Sequence, residues 1–250
     1  MINPMAKERI DKMLHDRGVA DSLSKAQAMV MAGVVLVDEH RVEKASEEFP
    51  LDVDIRIKGD APEARYVGRG GLKLEKALIE FGIDPTGWSC IDIGASTGGF
   101  TDCLLQHGAE RVVALDVGTN QLDWKLRSDP RVDSREKTNA RAMHPTDFDG
   151  AFDLAVMDVS FISVTKILPS ILIILKPNAK LIVLIKPQFE VGRGEIGKGG
   201  IVRDAEKHQR VVSEITEFAE GIGFRAVGTI PSPILGAEGN KEFLAFYEKK

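Results

Sequence analysis

Hydrophobic positions change period several times along this chain, and each change marks an element. Ile10, Met13 and Leu14 fall on one helical face. Ser22 to Lys25 offer an N-cap for a second helix through Ala26, Met29, Val30 and Met31, which Gly33 stops. Val34 to Val37 read as a strand, Asp38 to Arg41 as a turn, and Leu51 to Ile57 as an alternating strand with Val53, Ile55 and Ile57 on one face. Gly71 to Phe81 return to helical spacing, with Leu72, Leu74, Ala77, Leu78 and Phe81 apolar. From residue 89 onward short apolar runs recur, predicting strands at 89–94, 111–117, 132–138, 153–159, 179–186, 224–230 and 243–248, with helical segments between most of them. That alternation implies a parallel, doubly wound sheet with right-handed crossovers. The Pro/Gly loop from Pro231 to Asn240 implies that the last two strands form an antiparallel hairpin.

The expected organisation is a small α+β module over 1–60, a linker over 61–70 punctuated by Pro62, Gly68 and Gly70, and an α/β domain over 71–250. Two short helices and a few strands in about 60 residues make a weak core alone.

Composition narrows the class. The 250 residues are 43% hydrophobic and 28% charged, ordinary for a soluble protein. Net charge is −5, so positive potential for a nucleic acid must be local. Cys90 and Cys103 both fall on apolar faces, which suits buried free thiols in a reducing compartment and no metal site. Residues 1–17 are polar and charged, unlike a secretory leader. The longest apolar run, Ile167 to Leu175, contains Pro169 and is far too short to span a bilayer. A soluble cytoplasmic protein is expected, with no membrane partner; the oligomeric state is left open.

The chemistry centres on Ser89 to Phe100, read as strand, glycine-rich turn and helix. The turn fits neither a dinucleotide fingerprint, whose third position, a glycine, is Ser96 here, nor a P-loop, since no lysine follows Gly99. What remains is Asp92-x-Gly94-x-x-x-Gly98-Gly99, a turn with an acid at the strand end. S-adenosylmethionine carries an ammonium and a sulfonium and no phosphate, so it suits that acid better than a phosphate cradle does. The next strand ends in Asp116, placed to accept nucleoside ribose hydroxyls. The same turn would also serve an α/β protein of other purpose. Two further strands end in charge at the same edge, Asp158 and Lys186; Glu242 opens the last strand and Lys73 precedes the sheet. An apolar strand rarely finishes in lysine without a partner, because burying an unpaired ammonium costs several kcal/mol. Arg65, Arg69, Lys73 and Lys76 form a basic stripe against the single acid Glu75. The segment Gly192 to Lys198 mimics a P-loop, but Gly199 stands where Ser or Thr is required.

Two resemblances sharpen this picture. Arg9, Asp11, Leu14, Ser24, Ala28, Gly33, Val35 and Val37 resemble the S-four RNA-binding module, with Asp38-Glu39 departing from its usual Asn-Gly turn. The resemblance implies RNA contact through Lys7, Arg9, Lys12, Arg17, Lys25 and Gln27, although 13 acids outnumber 10 bases across residues 1–65. Lys73, Asp158, Lys186 and Glu242 match the K-D-K-E tetrad of FtsJ-like ribose 2′-O-methyltransferases. With the module in front, the chain resembles the TlyA family of ribosomal RNA methyltransferases, also called hemolysins. Arg69 to Leu74, Asp92 to Phe100, Met157 to Phe161, Ile185 to Glu190 and Gly239 to Phe243 carry the likeness.

That likeness implies a class I methyltransferase fold, S-adenosylmethionine as cofactor with no metal, and ribosomal RNA or subunits as partner. It implies that Lys186 takes or polarises the 2′-hydroxyl proton, Asp158 orients it, and Lys73 and Glu242 fix the nucleotide. Asp92, Gly94, Ser96, Thr97, Gly98, Gly99, Phe100, Asp116, Asn139 and Asp158 would hold the cofactor. Arg65, Arg69, Arg193 and Lys198 would touch RNA, with 189–203 a mobile loop that includes Arg203. A membrane-active hemolysin has no supporting segment. Base methylation lacks its Pro-Pro motif or catalytic cysteine after the fourth strand. A non-catalytic RNA-binding assembly factor stays a competing reading.

Overall fold

A computed structural model describes residues 7–20, 22–38, 40–57 and 65–250, without the side chains of Arg193 and Ala237. Residues 58–60 of the expected module, 61–64 of the expected linker with Pro62, and Glu39 of the expected turn lie outside the described residues. The chain divides into two compact units, residues 1–65 and 66–250.

The first unit contains β1 (Lys7–Arg9), α1 (Ile10–Asp16), α2 (Leu23–Met31), β2 (Val35–Val37), β3 (His40–Arg41), β4 (Glu48–Pro50) and β5 (Ile55–Ile57). Strands β3, β2 and β5 form one antiparallel sheet, and β1 pairs with β4. Ser22 caps α2 by accepting from the Lys25 amide at 3.2 Å. Ile10, Leu14, Ala26, Val30, Val35 and Val37 close the small core. The expected strand over 51–57 shortens to 55–57, because Val53 N–H turns back to Pro50 at 3.3 Å. Residues 40 and 41, expected in a turn, instead pair with β2.

The second unit begins with α3 (Gly70–Phe81), closed by Gly82 in the left-handed region at φ 63°. There follow β6 (Ser89–Ile93), α4 (Gly99–Gln106), β7 (Arg111–Leu115), α5 (Trp124–Arg127), β8 (Val132–Arg135), β9 (Phe152–Met157), α6 (Leu168–Ile174), β10 (Leu175–Ile185), α7 (Pro187–Glu190), α8 (Ala205–Ile222), β11 (Phe224–Pro231) and β12 (Phe243–Lys249). The seven strands order as β11-β12-β10-β9-β6-β7-β8. All neighbours from β10 to β8 are parallel, and β12 runs antiparallel to both β10 and β11. The seven-stranded α/β sheet and its closing hairpin are as the sequence predicts.

Each central strand is buried on both faces, which explains its unbroken apolar run. Ile91, Ile93, Val113, Met157 and Val183 pack one side with α6 and α8. Cys90, Val112, Leu154, Ile182 and Leu184 pack the other with α3 and α4. Both cysteines are free and fully buried, and burial pushes each thiol up to about 12. Strands β9 and β10 stop one residue short of Asp158 and Lys186, so these two charged residues stand in the loops rather than in the ladder. After Lys186, Pro187 cannot donate to a ladder and starts α7 instead.

Ile171 of α6 is fully buried in this packing. Ile171→Ala should lower stability by about 2–5 kcal/mol, the usual cost of a large-to-small core substitution. Urea denaturation followed by tryptophan fluorescence checks it, the second unit holding Trp88 and Trp124.

Candidate active site

The parallel strands aim their carboxyl ends at one edge of the sheet, where a cleft of about 430 Å³ opens. Val67 to Gly70, Lys73, Asp92, Gly94 to Thr97, Phe100, Asp158, Ser160 and Lys186 line it. A second hollow of about 320 Å³ continues along the same edge over Asp116, Gln121, Asn139, Val159 and Phe161. The two share Gly94, Ser96, Asp158 and Ser160.

Lys73, Asp158 and Lys186 line this cleft, and Glu242 joins them from behind Lys73. Lys73 Nζ donates to Glu242 Oε2 at 2.6 Å and lies 4.0 Å from Asp158 Oδ2. Lys186 Nζ is 2.5 Å from Asp158 Oδ1, an ion pair by distance that lacks the direction of a hydrogen bond. The order is Glu242, Lys73, Asp158, Lys186, with alternating charge. Lys73 and Glu242 are almost wholly buried, so each needs the other. Lys186 and Asp158 keep 11% and 21% of their side chains exposed and open into the cleft. All four sequence-predicted members of the set are brought together here.

The turn after β6 is shaped by close approach. Gly94 has φ 83°, and a Cβ there would sit 2.4 Å from the Asp158 carbonyl oxygen. Ser96 takes φ 49°, and its amide donates to Asp116 Oδ2 at 2.8 Å. Asp116 Oδ1 accepts from the Gly118 amide at 2.7 Å, so the carboxylate is fixed at the hollow's wall. Thr97, Gly99 and Phe100 line the cleft, and Gly98 caps α4 with a left-handed backbone. Asn139 lines the hollow and caps the turn that follows it by accepting from the Arg141 amide at 3.1 Å.

Asp92 is fully buried. Its Oδ2 accepts the Thr101 hydroxyl at 2.7 Å, while Oδ1 has no hydrogen-bond partner among the described residues. Burial, with Asp158 and Asp116 nearby, pushes its carboxyl up to about 7 against the opposing Thr101 bond. An orphaned buried carboxylate oxygen at the cleft is a polar group awaiting a donor.

The proposed RNA-contact residues are dispersed. Arg69 is exposed at the start of α3 and lines the cleft. Arg65 is exposed at the end of the first unit and Lys198 is exposed in the second, and the side chain of Arg193 lies outside the described residues. Arg9, Lys12 and Lys25 lie in the first unit. Arg9 holds the buried Asp11 with two hydrogen bonds of 3.1 and 2.7 Å, and Lys12 pairs with Glu8 at 2.5 Å. The expected loop over 189–203 is largely tied down. Asn240 binds the Val202 amide and the Gly200 carbonyl, His208 binds the Val202 carbonyl, and Arg210 pairs with Glu195. Among the described residues no group of His, Cys, Asp and Glu could hold a metal, and no helix is long and apolar enough to cross a membrane.

Several site residues carried no individual sequence signal. Thr101 and Ser160 are common residues whose partners lie 9 and 26 positions away. Asp102 of α4 is buried and accepts the Val67 amide at 2.9 Å, joining the cleft's rim to the glycine turn's helix. Phe161, 90% exposed at φ 65°, packs its ring against Phe189 with centroids 4.9 Å apart and planes tilted by 49°. An aromatic in that backbone region was the one local clue only a structure could supply.

Comparison with known proteins agrees with this geometry. Residues 66–249 match the FtsJ-like methyltransferase family, and residues 8–52 match the S4 domain. The chain is 48% identical to YqxC of Bacillus subtilis, provisionally called an rRNA methyltransferase, over 95% of this chain and 84% of that one. It is 41% identical to the 16S/23S rRNA (cytidine-2′-O)-methyltransferase TlyA of Mycobacterium tuberculosis, over 95% of this chain and 88% of that one. A solved structure of a Streptococcus thermophilus protein, provisionally called a hemolysin, superposes with a TM-score of 0.75 at 47% identity, covering 98% of this chain and 90% of that one.

A buried carboxyl raised above its unfolded value stabilises below the unfolded pKa and loses that contribution as pH rises through about 7. Thermal stability should therefore fall between about pH 4 and pH 8. Asp92→Asn should flatten that fall and melt higher than wild type at pH 8, measured by calorimetry across the range.

Proposed function

The chain belongs to the FtsJ-like methyltransferases, and from that premise we propose that it methylates a ribose 2′-hydroxyl of ribosomal RNA, at a cytidine, with S-adenosylmethionine as donor. One observation carries the reading: Lys73, Asp158, Lys186 and Glu242 converge in alternating charge at the carboxyl edge of the sheet, beside a glycine turn with an acid on either side. The full-length similarity to the TlyA protein named for cytidine 2′-O-methylation of rRNA supports the substrate class.

The residues present fit the donor. Asp92 offers an orphaned carboxylate oxygen to a cation, Asp116 offers a fixed carboxylate to ribose hydroxyls, and Gly94 lets the turn close against the Asp158 carbonyl, where no side chain would fit. Ser96, Thr97, Gly98, Gly99, Phe100 and Asn139 complete the wall around them. S-adenosylmethionine supplies an already activated electrophilic methyl group, so positioning of the acceptor oxygen does much of the work.

A ribose hydroxyl is a poor nucleophile until its proton is drawn off. Lys186 stands at the cleft end of the charged row and accepts that proton at Nζ as a neutral amine or polarises the hydroxyl as an ammonium. Asp158, 2.5 Å away, holds the lysine in place and balances its charge. Lys73 and Glu242 lie deeper, and their buried pair keeps Asp158 from turning aside. The exposed Phe161, its ring tilted against the part-buried Phe189, offers an apolar face beside Lys186, suited to an unstacked base.

RNA is gripped by local cations rather than a global field: Arg69, Arg193 and Lys198 in the second unit, and Arg9, Lys12, Lys25 and Arg65 in the first. An RNA-modifying chain of this kind works in the cytoplasm, without metal. A non-catalytic assembly factor would have no need of the tetrad.

Tritium transfer from labelled S-adenosylmethionine to unmodified ribosomal subunits tests the proposal. Wild type should label RNA at a position that resists alkaline cleavage, as a 2′-O-methyl does. Lys186→Ala should lose at least 100-fold in rate with cofactor binding intact. Full turnover by that variant would falsify the assignment. Arg69→Ala and Lys198→Ala should each weaken RNA binding across sequences and lower the salt slope by about one, read in titrations at several salt concentrations.

A further inference from the structure

We propose that Ser160 is the positioning residue that aims Lys186 at the acceptor hydroxyl, an inference that rests on the role of Lys186 given above. Charge alone does not aim an amine. Lys186 Nζ has two close partners, and they differ in kind. The Asp158 contact is the shorter, at 2.5 Å, but it lacks hydrogen-bond direction. The Ser160 hydroxyl accepts from Nζ at 2.9 Å, and it is the amine's hydrogen-bond acceptor among the described residues. A coulombic pair is tolerant of angle, whereas a hydrogen bond weakens steeply away from linearity. Asp158 therefore holds Lys186 near, and Ser160 sets which way Nζ points. With the hydroxyl in place, the remaining face of the amine opens into the cleft that Ser160 and Lys186 both line.

The hydroxyl is itself held by more than its own loop. Ser160 follows Asp158 by two residues, and the Asp158 amide is tied to Ile93 of β6 at 3.0 Å. Immediately after Ser160 the chain turns through Phe161 at φ 65°, a region costly for an aromatic residue, which persists only where surroundings compensate. Those surroundings come from the lysine's own segment. Phe161 packs against Phe189, three residues beyond Lys186. Glu190, part-buried, accepts the Val164 amide at 2.9 Å and so clamps the far end of the serine's loop. Three ties thus cross between the loop after β9 and the segment after β10: Ser160 to Lys186, Phe161 to Phe189, and Glu190 to Val164. The outer two keep the serine and the lysine at bonding distance when substrate enters.

Ser160 touches neither the reacting oxygen nor the methyl in this account; it acts through Lys186. The experiment compares Ser160→Ala, Ser160→Val and Ser160→Thr with wild type and Lys186→Ala, in single-turnover methyl transfer to unmodified subunits at saturating cofactor and RNA. Cofactor and RNA affinities and melting temperature are measured for each. Valine and threonine share shape and β-branching and differ in the hydroxyl. The expected result is a rate loss of about tenfold or more for alanine and valine, recovery to within about threefold of wild type for threonine, and affinities unchanged within about twofold. Wild-type rate in Ser160→Ala, or equal impairment of threonine and valine, overturns the inference. If that happens while Lys186→Ala is inactive, the role of Lys186 stands and only the aiming by Ser160 fails; activity in Lys186→Ala removes both.

Discussion

A buried lysine must find an anion, and the second unit is arranged around satisfying that demand. Lys73 lies on α3, near the start of the unit, and Glu242 lies just before its last strand, yet they meet at 2.6 Å with almost no solvent contact. Breaking one partner of such a pair leaves an uncompensated charge, typically costing 3–5 kcal/mol. The contact therefore closes the fold between its two ends. It also forces the loop before β12 to pack tightly, since a side chain at Gly236 would overlap the Glu242 carboxylate. The same ion pair then holds Asp158, and Asp158 holds Lys186. Structural necessity at the buried end becomes chemical position at the cleft end.

The row divides by access to the cleft. Glu242 and Lys73 are nearly sealed, while Asp158 and Lys186 keep part of their side chains exposed and line the cleft. Only a group that reaches the cleft meets a substrate hydroxyl. The sealed groups serve by being immobile, which is the kind of preorganisation that lets a site act without reorganising at the moment of reaction.

Asp92 shows the opposite bargain. A buried carboxyl with an unpartnered oxygen opposes stability at neutral pH, and a neutral residue there would relieve it. Its place at the end of the first strand of the sheet, beside the glycine turn, gives the reason to keep it. The cost sits where a cationic ligand would offset it, so the pH dependence of the free protein reports on the binding site rather than on the core.

Much was legible in the chain itself. The seven strands could be read because a parallel strand covered on both faces must be apolar throughout, as Ile91, Val113, Ala155 and Val183 are. The charged residues ending those runs were conspicuous for the same reason, and Lys73, Asp158, Lys186 and Glu242 stand together in the structure as their positions at one sheet edge implied. The glycine turn was visible because few other residues permit its backbone. Where pairing depends on neighbours the chain was silent: the short strands β1, β3 and β4 carry too few residues for a period, and β5 shortened because a turn at Pro50 competed with it. Tertiary structure alone decided that Lys73 pairs with Glu242 rather than with a nearer acid, that Asp92 keeps one oxygen unmet, and that Ser160, an ordinary residue in sequence, faces Lys186. Periodicity records which side of an element is buried; it holds no distance between side chains that the chain brings together from 26 or 169 residues apart.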